Sequence, residues 1–331
     1  MNILYLIGNG FDINIGLKTS YKDFYKYYKR LPSDSDNIKK LKDCISPEDD
    51  LWSNLELALG KYCSTLYDDA NDFIEALIDI STQLREYISQ ENDKIEVTPS
   101  AVNKLNEDLS SPNKYMTPAQ QQKFARYRQF GGPWNGQWNV NIITFNYTFS
   151  FEKLLDGYSN RRIGTHNNTY SVILKNLYHI HGDLDNTMLI GVNSVEQIAK
   201  EEFRENKMLV DMFVKPQANI MSESLIDETC MKLITEANLI CLFGLSLGPT
   251  DEMWWEAIRQ NLQRQKCRVI IFEYKPNIDL KRQAYWINAY KQNIKENLIK
   301  TSDEQIIDRI NVEFNQPIFN IGKCVKQIDA I

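Results

Sequence analysis

The sequence predicts an α/β protein with a doubly wound, largely parallel sheet and a large helical insertion. Three observations predict it. Apolar runs end in glycine turns at residues 3–10 and 239–248, each followed by a helical pattern. A third apolar run, 140–145, ends in a polar cluster. Between residues 12 and 139 no run has the buried-strand character a parallel sheet requires, whereas 3.6-residue periodicity is plentiful. A single domain over 1–331, with a helical insertion or cap over 34–130, accounts for this pattern.

The first turn is Ile7-Gly8-Asn9-Gly10-Phe11-Asp12. Leu4, Leu6 and Ile7 suit a buried strand, and glycines let the backbone turn sharply and approach a ligand. Strand, glycine turn and helix is how a doubly wound domain opens a nucleotide site. The helix that follows is expected to be capped by Thr19 or Ser20. The third glycine of the dinucleotide fingerprint is missing. Tyr21, Phe24, Tyr25 and Tyr28 then recur at helical spacing, fitting a core or a pocket wall.

A helix is expected from Pro47, with Glu48, Asp49 and Asp50 at its positive end. It would place Trp52 and Glu56 on one face, looking either into a cleft or into core and solvent. Ala70, Phe73, Leu77, Ile80 and Leu84 form a further stripe. Gly131, Gly132 and Pro133 break the pattern, and Trp134 and Trp138 flank Gly136 in an expected loop.

Val140-Asn141-Ile142-Ile143-Thr144-Phe145 reads as a strand with Asn146 at its tip, where ligands sit in open sheets. Asn146 offers a donor and acceptors for a ribose hydroxyl or a water, and equally suits a helix N-cap. The chain has 3 histidines. His179 and His181 alternate on an expected strand ending at Gly182, so they would share a face. Histidine is the usual general base, although both also fit structural hydrogen bonding. Residues 189–193 read as a short strand and turn, and 195–236 as helical with no assignable role.

Leu239-Ile240-Cys241-Leu242-Phe243-Gly244-Leu245-Ser246-Leu247-Gly248 repeats the opening: strand, glycine turn, then a helix near Pro249 or Thr250, a setting suited to phosphate. A last strand, 268–272, ends at Glu273, where an acid meets either a ribose hydroxyl or a surface cation. The remainder reads as helical.

Composition is that of a globular protein, with 43% apolar and 25% charged residues. The formal charge of −6 argues against a non-specific nucleic-acid binder. The 6 cysteines include no C-x-x-C pair, which argues against a zinc ribbon. Cys241 and Cys267 read as core. No metal ligand set is evident. No apolar stretch is long enough for a signal peptide or a membrane span, so a cytoplasmic protein with reduced thiols is expected.

Taken together, these segments resemble the AbiH family of bacterial abortive-infection proteins. The resemblance rests on 7–12 with Gly16-Leu17 and residues 19–24, on Leu51-Trp52-Ser53 with Leu55-Glu56, on Thr144-Phe145-Asn146-Tyr147-Thr148, on Ile180-His181-Gly182, and on Gly244-Leu245-Ser246-Leu247 with Asp251. The order glycine turn, T-x-N, H-G, G-x-S-L is also similar to that of sirtuin-like NAD-binding domains, which implies a Rossmann-like fold. That second resemblance implies that Gly8, Asn9, Gly10, Phe11, Thr144, Gly244, Ser246, Leu247, Asp251 and Glu273 surround NAD. It further implies that Asn146 binds ribose and positions water, and that His181 is the base. Asp12 would offer negative charge at the reacting ribose, and Trp52 and Glu56 would line the cleft. The acid usual after T-x-N is replaced by Tyr147 and Thr148, and the zinc-binding cysteine quartet is absent, which argues against protein deacylation.

The expected function is therefore an antiphage effector hydrolysing NAD, or a related nucleotide, at the nicotinamide–ribose bond. NAD would be substrate or ligand, with no further cofactor. A nucleotide-sensing or partner-binding module without turnover is the alternative, and a metal-dependent nuclease using His179, His181, Asp183 and Asp12 a third. Constant NAD hydrolysis would kill the host, so an off state is expected, with the 34–130 helices gating activity or mediating assembly with a second copy or a defence-system partner. Neither a membrane nor nucleic acid is an expected partner.

Overall fold

The computed structural model describes every residue except 47, 131–135, 156–158, 265–266, 277–283, 302 and 327–331, and leaves the side chains of 63, 64, 128–130 and 284 undescribed. The expected helix start at Pro47 and the breaker at 131–133 with Trp134 fall outside the described residues.

Seven strands form one sheet: β1 (Asn2–Ile7), β2 (Trp138–Thr144), β3 (Arg161–His166), β4 (Tyr170–His179), β5 (Leu239–Phe243), β6 (Arg268–Glu273) and β7 (Ile310–Phe314). Their order is β3-β4-β2-β1-β5-β6-β7. All neighbours pair in parallel except β3, which is antiparallel to β4. The chain fills one side of β1 with β2 and β4, then crosses to fill the other with β5, β6 and β7. The order therefore reverses at β1, and the connections leaving β1 and β5 depart in opposite directions. A crevice opens at such a point beyond the carboxyl ends of the strands.

The pleat of β1 separates two cores. Ile3, Tyr5 and Ile7 face one layer and Leu4 and Leu6 the other, as period-2 alternation requires. The first layer holds α1 (Gly10–Ile15), α6 (Pro99–Ser110), α7 (Pro118–Phe130) and α8 (Ser150–Leu155). The second holds α12 (Ile226–Glu236), α13 (Glu252–Gln263), α14 (Ala284–Ile299) and α15 (Glu304–Ile307). A third core has no strand. It joins α2 (Tyr21–Tyr28), α3 (Asp36–Cys44), α4 (Leu55–Leu66) and α5 (Ala70–Asn92) to α9 (Glu201–Arg204) and α10 (Lys207–Phe213), with α11 (Lys215–Met221) following directly. The helices between β1 and β2 are thus divided: α2–α5 build the third core, while α6 and α7 cover the sheet.

Several expectations are corrected. A helix begins at once on Gly10, and the helix capped by Ser20 is the second one, α2, whose cap accepts the Asp23 amide. Trp138 opens β2 and stacks on His166 at 3.9 Å instead of lying in a loop. Residues 189–193 make a single bridge, Val192 to Val214, not a strand. β6 is not the last strand, because β7 follows it, and the antiparallel edge strand β3 was not expected. In place of one helix through Trp52 and Glu56, a 3₁₀ turn (Asp50–Ser53) stops before α4 begins at Leu55. Among the described residues no helix is long and apolar enough to cross a membrane.

Candidate functional site

Gly8, Asn146, His181 and Gly244 follow the ends of β1, β2, β4 and β5, four strands adjacent in the sheet, and so come together. They line a cavity of about 350 Å³ with Asn9, Asp12, Tyr21, Glu56, Tyr147, Ser246 and Asp251. That volume falls within the ~300–1,000 Å³ of small-molecule sites.

The two glycine turns are locked together. The Gly8 amide donates to Phe243 O at 2.9 Å and the Gly10 amide to Gly244 O at 3.0 Å. A Cβ on Gly10 would stand 2.5 Å from Gly244 Cα, and Gly244, at φ +68°, would meet Gly10 Cα at 2.7 Å. These glycines are required by each other's backbone. Among the described residues no acceptor takes the amides of Asn9, Leu245 or Ser246, which remain available beside the cavity. The Asn9 side chain is committed, its Nδ2 donating to Thr19 O at 2.8 Å while its Oδ1 accepts the Thr19 hydroxyl at 2.5 Å.

Asp12 projects from α1 and is 1% exposed. Its oxygens accept the hydroxyls of Thr148 at 2.7 Å and Ser150 at 2.5 Å. Burial raises its pKa, the two hydroxyls pull it partly back, and it is left at about 6. This carboxylate exchanges a proton near neutrality.

Asn146 is buried, and neither Nδ2 nor Oδ1 has a hydrogen-bond partner. Its amide lies near enough to Asp12 to help hold that charge, without hydrogen-bond geometry. An orphaned amide of this kind costs roughly 1–3 kcal/mol, a cost that a ligand or water in the cavity would relieve. Its backbone is firmly held: His179 Nδ1 lies 2.7 Å from Asn146 O, and His179 Nε2 2.7 Å from Glu152 Oε1. Burial lowers the His179 pKa, but the Glu152 carboxylate outweighs it, so the ring is held above its ordinary value.

His181 stands beyond the end of β4, so the two histidines do not share a strand face. His181 lines the main cavity and His179 a neighbouring one. His181 Nε2 lies 3.0 Å from Asp251 Oδ1, an ion-pair distance without hydrogen-bond geometry. The same Asp251 oxygen is 3.0 Å from Lys215 Nζ, which is 2.9 Å from Glu56 Oε2. Glu56 and Lys215 are each 6% exposed. Burial alone would raise the Asp251 pKa, yet Lys215 and His181 outweigh it and hold the carboxyl well below its usual range. Lys215 is raised in turn, its two carboxylates prevailing over burial.

Some expected residues stand elsewhere. Gly10 is not among the residues lining the cavity. Phe11 is fully buried and stacks on Phe151 at 4.2 Å. Thr144 Oγ1 accepts the backbone N–H of Asn146 at 3.1 Å. Leu247 packs against the second sheet core. Glu273 ends β6 beside Lys275 at 3.4 Å, away from the cavity. Trp52 is core, stacked on Tyr62 at 5.7 Å, so Glu56 alone of that pair reaches the site. The nuclease constellation does not gather: Asp183 spends its carboxylate on the amides of Asp185 and Asn186, and among the described residues no group of three or more metal-ligating side chains forms. Lys215 was missed, since it sits in a helical stretch with no motif. Thr148 is signalled only as part of the 144–148 segment, and Ser150 only by its nearness to Asn146.

Comparison with known proteins places this chain in a family. No curated protein matches the chain. The family model described as bacteriophage abortive infection AbiH matches residues 4–273, which contain every cavity residue named above. The chain belongs to the AbiH family, and with it to the proteins of phage abortive infection.

Proposed function

We propose that this AbiH protein binds an NAD-like dinucleotide in the crevice beyond β1, β2, β4 and β5 and hydrolyses its nicotinamide–ribose bond. The observation that carries the proposal is Asn146: a buried amide with both polar atoms unpartnered, lining a cavity that also holds a carboxylate titrating at about 6 and a carboxylate-paired histidine. The strand order supports it. Numbered among the parallel strands alone, the sequence 3-2-1-4-5-6 is the Rossmann order, with the cavity at its switch point. A doubly wound, Rossmann-like and sirtuin-like fold is therefore the reading of the sheet.

In this reading the free amides of the two turns receive the pyrophosphate, and Asn146 orients ribose and water. As the C1′–N bond breaks, nicotinamide leaves with the bonding electron pair and becomes neutral, so no acid is needed. Asp12 stabilises the positive ribosyl centre, water adds to C1′, and His181, oriented by Asp251, takes its proton. The products are nicotinamide, ADP-ribose and a proton.

The test is nicotinamide release by purified protein, alone and under infection-mimicking conditions, compared with His181→Ala and Asn146→Ala. General-base loss costs about 10²–10⁴-fold, and a fall of that size is expected for His181→Ala. Equal release by all three proteins removes both residues from the mechanism. Tight binding without release under any condition would instead establish a sensing module.

A further inference from the structure

One end of the cavity has an aromatic lining that the hydrolysis reading does not use. Tyr21, Phe145 and Tyr147 line it together with Glu56 and Asp251. These groups are close neighbours: burial first, and then the Glu56 charge, raise the hydroxyls of both Tyr21 and Tyr147, with Asp251 adding to each. Phe145 meets His181 edge-on, with ring centroids 5.2 Å apart. No lysine or arginine is among the cavity's lining residues. The Lys215 ammonium is not part of that lining and bonds both carboxylates. Two carboxylates against one ammonium leave one carboxylate charge beyond what Lys215 balances. Aromatic faces with a surplus carboxylate are the chemistry of cation recognition, and the unpartnered Asn146 amide opens into the same cavity.

We infer that this aromatic and acidic recess seats a cationic ring, so that the site selects oxidised pyridinium ribosides over their neutral reduced forms and over nucleoside triphosphates. This rests on the nucleotide reading above and specifies the charge state of its ligand. A dihydropyridine has the same shape and phosphates as its pyridinium but lacks the positive charge. A triphosphate adds negative charge where the walls already carry it.

The test is calorimetric titration of the full chain with NAD⁺, NADH, ADP-ribose and ATP, using His181→Ala to prevent turnover. NAD⁺ is expected to bind at least about tenfold more tightly than NADH, with ATP weakest. Glu56→Gln is expected to reduce NAD⁺ affinity about tenfold and to leave ADP-ribose affinity within twofold. Tyr21→Leu, at a partly buried position, serves if the buried Glu56 variant does not fold. Equal affinity for NAD⁺ and NADH, with ADP-ribose still bound, overturns the recess and spares the nucleotide reading. No binding of any of the four overturns both.

Discussion

Replacing Asp12 by Asn should make the protein more stable and less active at once. Asp12 is fully buried and its pKa stands at about 6 instead of 3.8. An acid raised in this way binds its proton more tightly in the folded state than in the unfolded one. The folded state is therefore at no disadvantage below pH ~4, loses stability as pH climbs from there to 6, and carries the full cost above. Each pKa unit corresponds to about 1.4 kcal/mol, so a shift of this size represents about 3 kcal/mol at pH 8. Asn keeps the shape and removes the charge. Its Oδ1 accepts one hydroxyl, and the other hydroxyl rotates to accept from Nδ2. Chemical denaturation of wild type and Asp12→Asn at pH 4, 6 and 8 should show a gap that opens through this window, with a Tm gain of roughly 5 °C at the upper end. Nicotinamide release should fall in the same variant, because stability lost at a site is the usual companion of function. Equal stability at pH 8, or a gap unchanged at pH 4, would refute the claim that Asp12 is an ionised group held against its burial.

Three further outcomes are expected. Gly244→Ala places a methyl on the Gly10 backbone at a positive φ and should cost about 2–5 kcal/mol, combining backbone strain with overpacking. Gly322→Ala, also at positive φ but with open space around it, should cost about 1–2 kcal/mol; equal losses in denaturation would show that the two turns are not interlocked. Lys215→Met leaves Glu56 and Asp251 buried without their cation and should destabilise by ~3–5 kcal/mol, part of which Glu56→Gln added to it restores; a loss below ~1 kcal/mol contradicts the buried triad. Because Glu152 holds the His179 pKa up, that pair stabilises the fold fully below pH 6.5, and its contribution is lost as pH rises through the folded value. Glu152→Gln should move the His179 titration downward in an NMR experiment, and an unmoved curve would dismiss the pair.

The parts legible in the sequence were those whose physics is local. β1, β2, β5 and β6 are buried on both faces and read as near-continuous apolar runs. β3 escaped notice because an edge strand carrying Arg161, Arg162 and Gly164 has no such run. β7 escaped because buried Asn311 and Glu313 interrupt its five residues. The helix α1 has six residues and no side-chain cap, so nothing local announces it. At the site, residues at strand tips were foreseen because sheet topology fixes where tips go. Bonds that close across the chain were not: Ser150 to Asp12 spans 138 positions and Lys215 to Glu56 spans 159. No periodicity encodes a partner at that distance. Phe11 was misread for a related reason. A turn residue beside two glycines looks available to a ligand until α8 supplies Phe151 to cover it.

That division gives the helical cap a chemical role. Asp12, Asn146, His181 and Asp251 all belong to segments that leave strand ends or the turns beside them. Tyr21 and Glu56 belong to α2 and α4, which pack in the third core with residues 190–214. Lys215 follows that core directly and binds one carboxylate from each side, Glu56 from the cap and Asp251 from the sheet edge. The seam between cap and sheet is thus ionic as well as apolar at the cavity. An apolar seam tolerates small shifts, whereas a buried ion triad demands close geometry and is strongly disfavoured when one member is withdrawn. Asp251, whose Oδ1 lies 3.0 Å from both Lys215 Nζ and His181 Nε2, is where this seam meets the site.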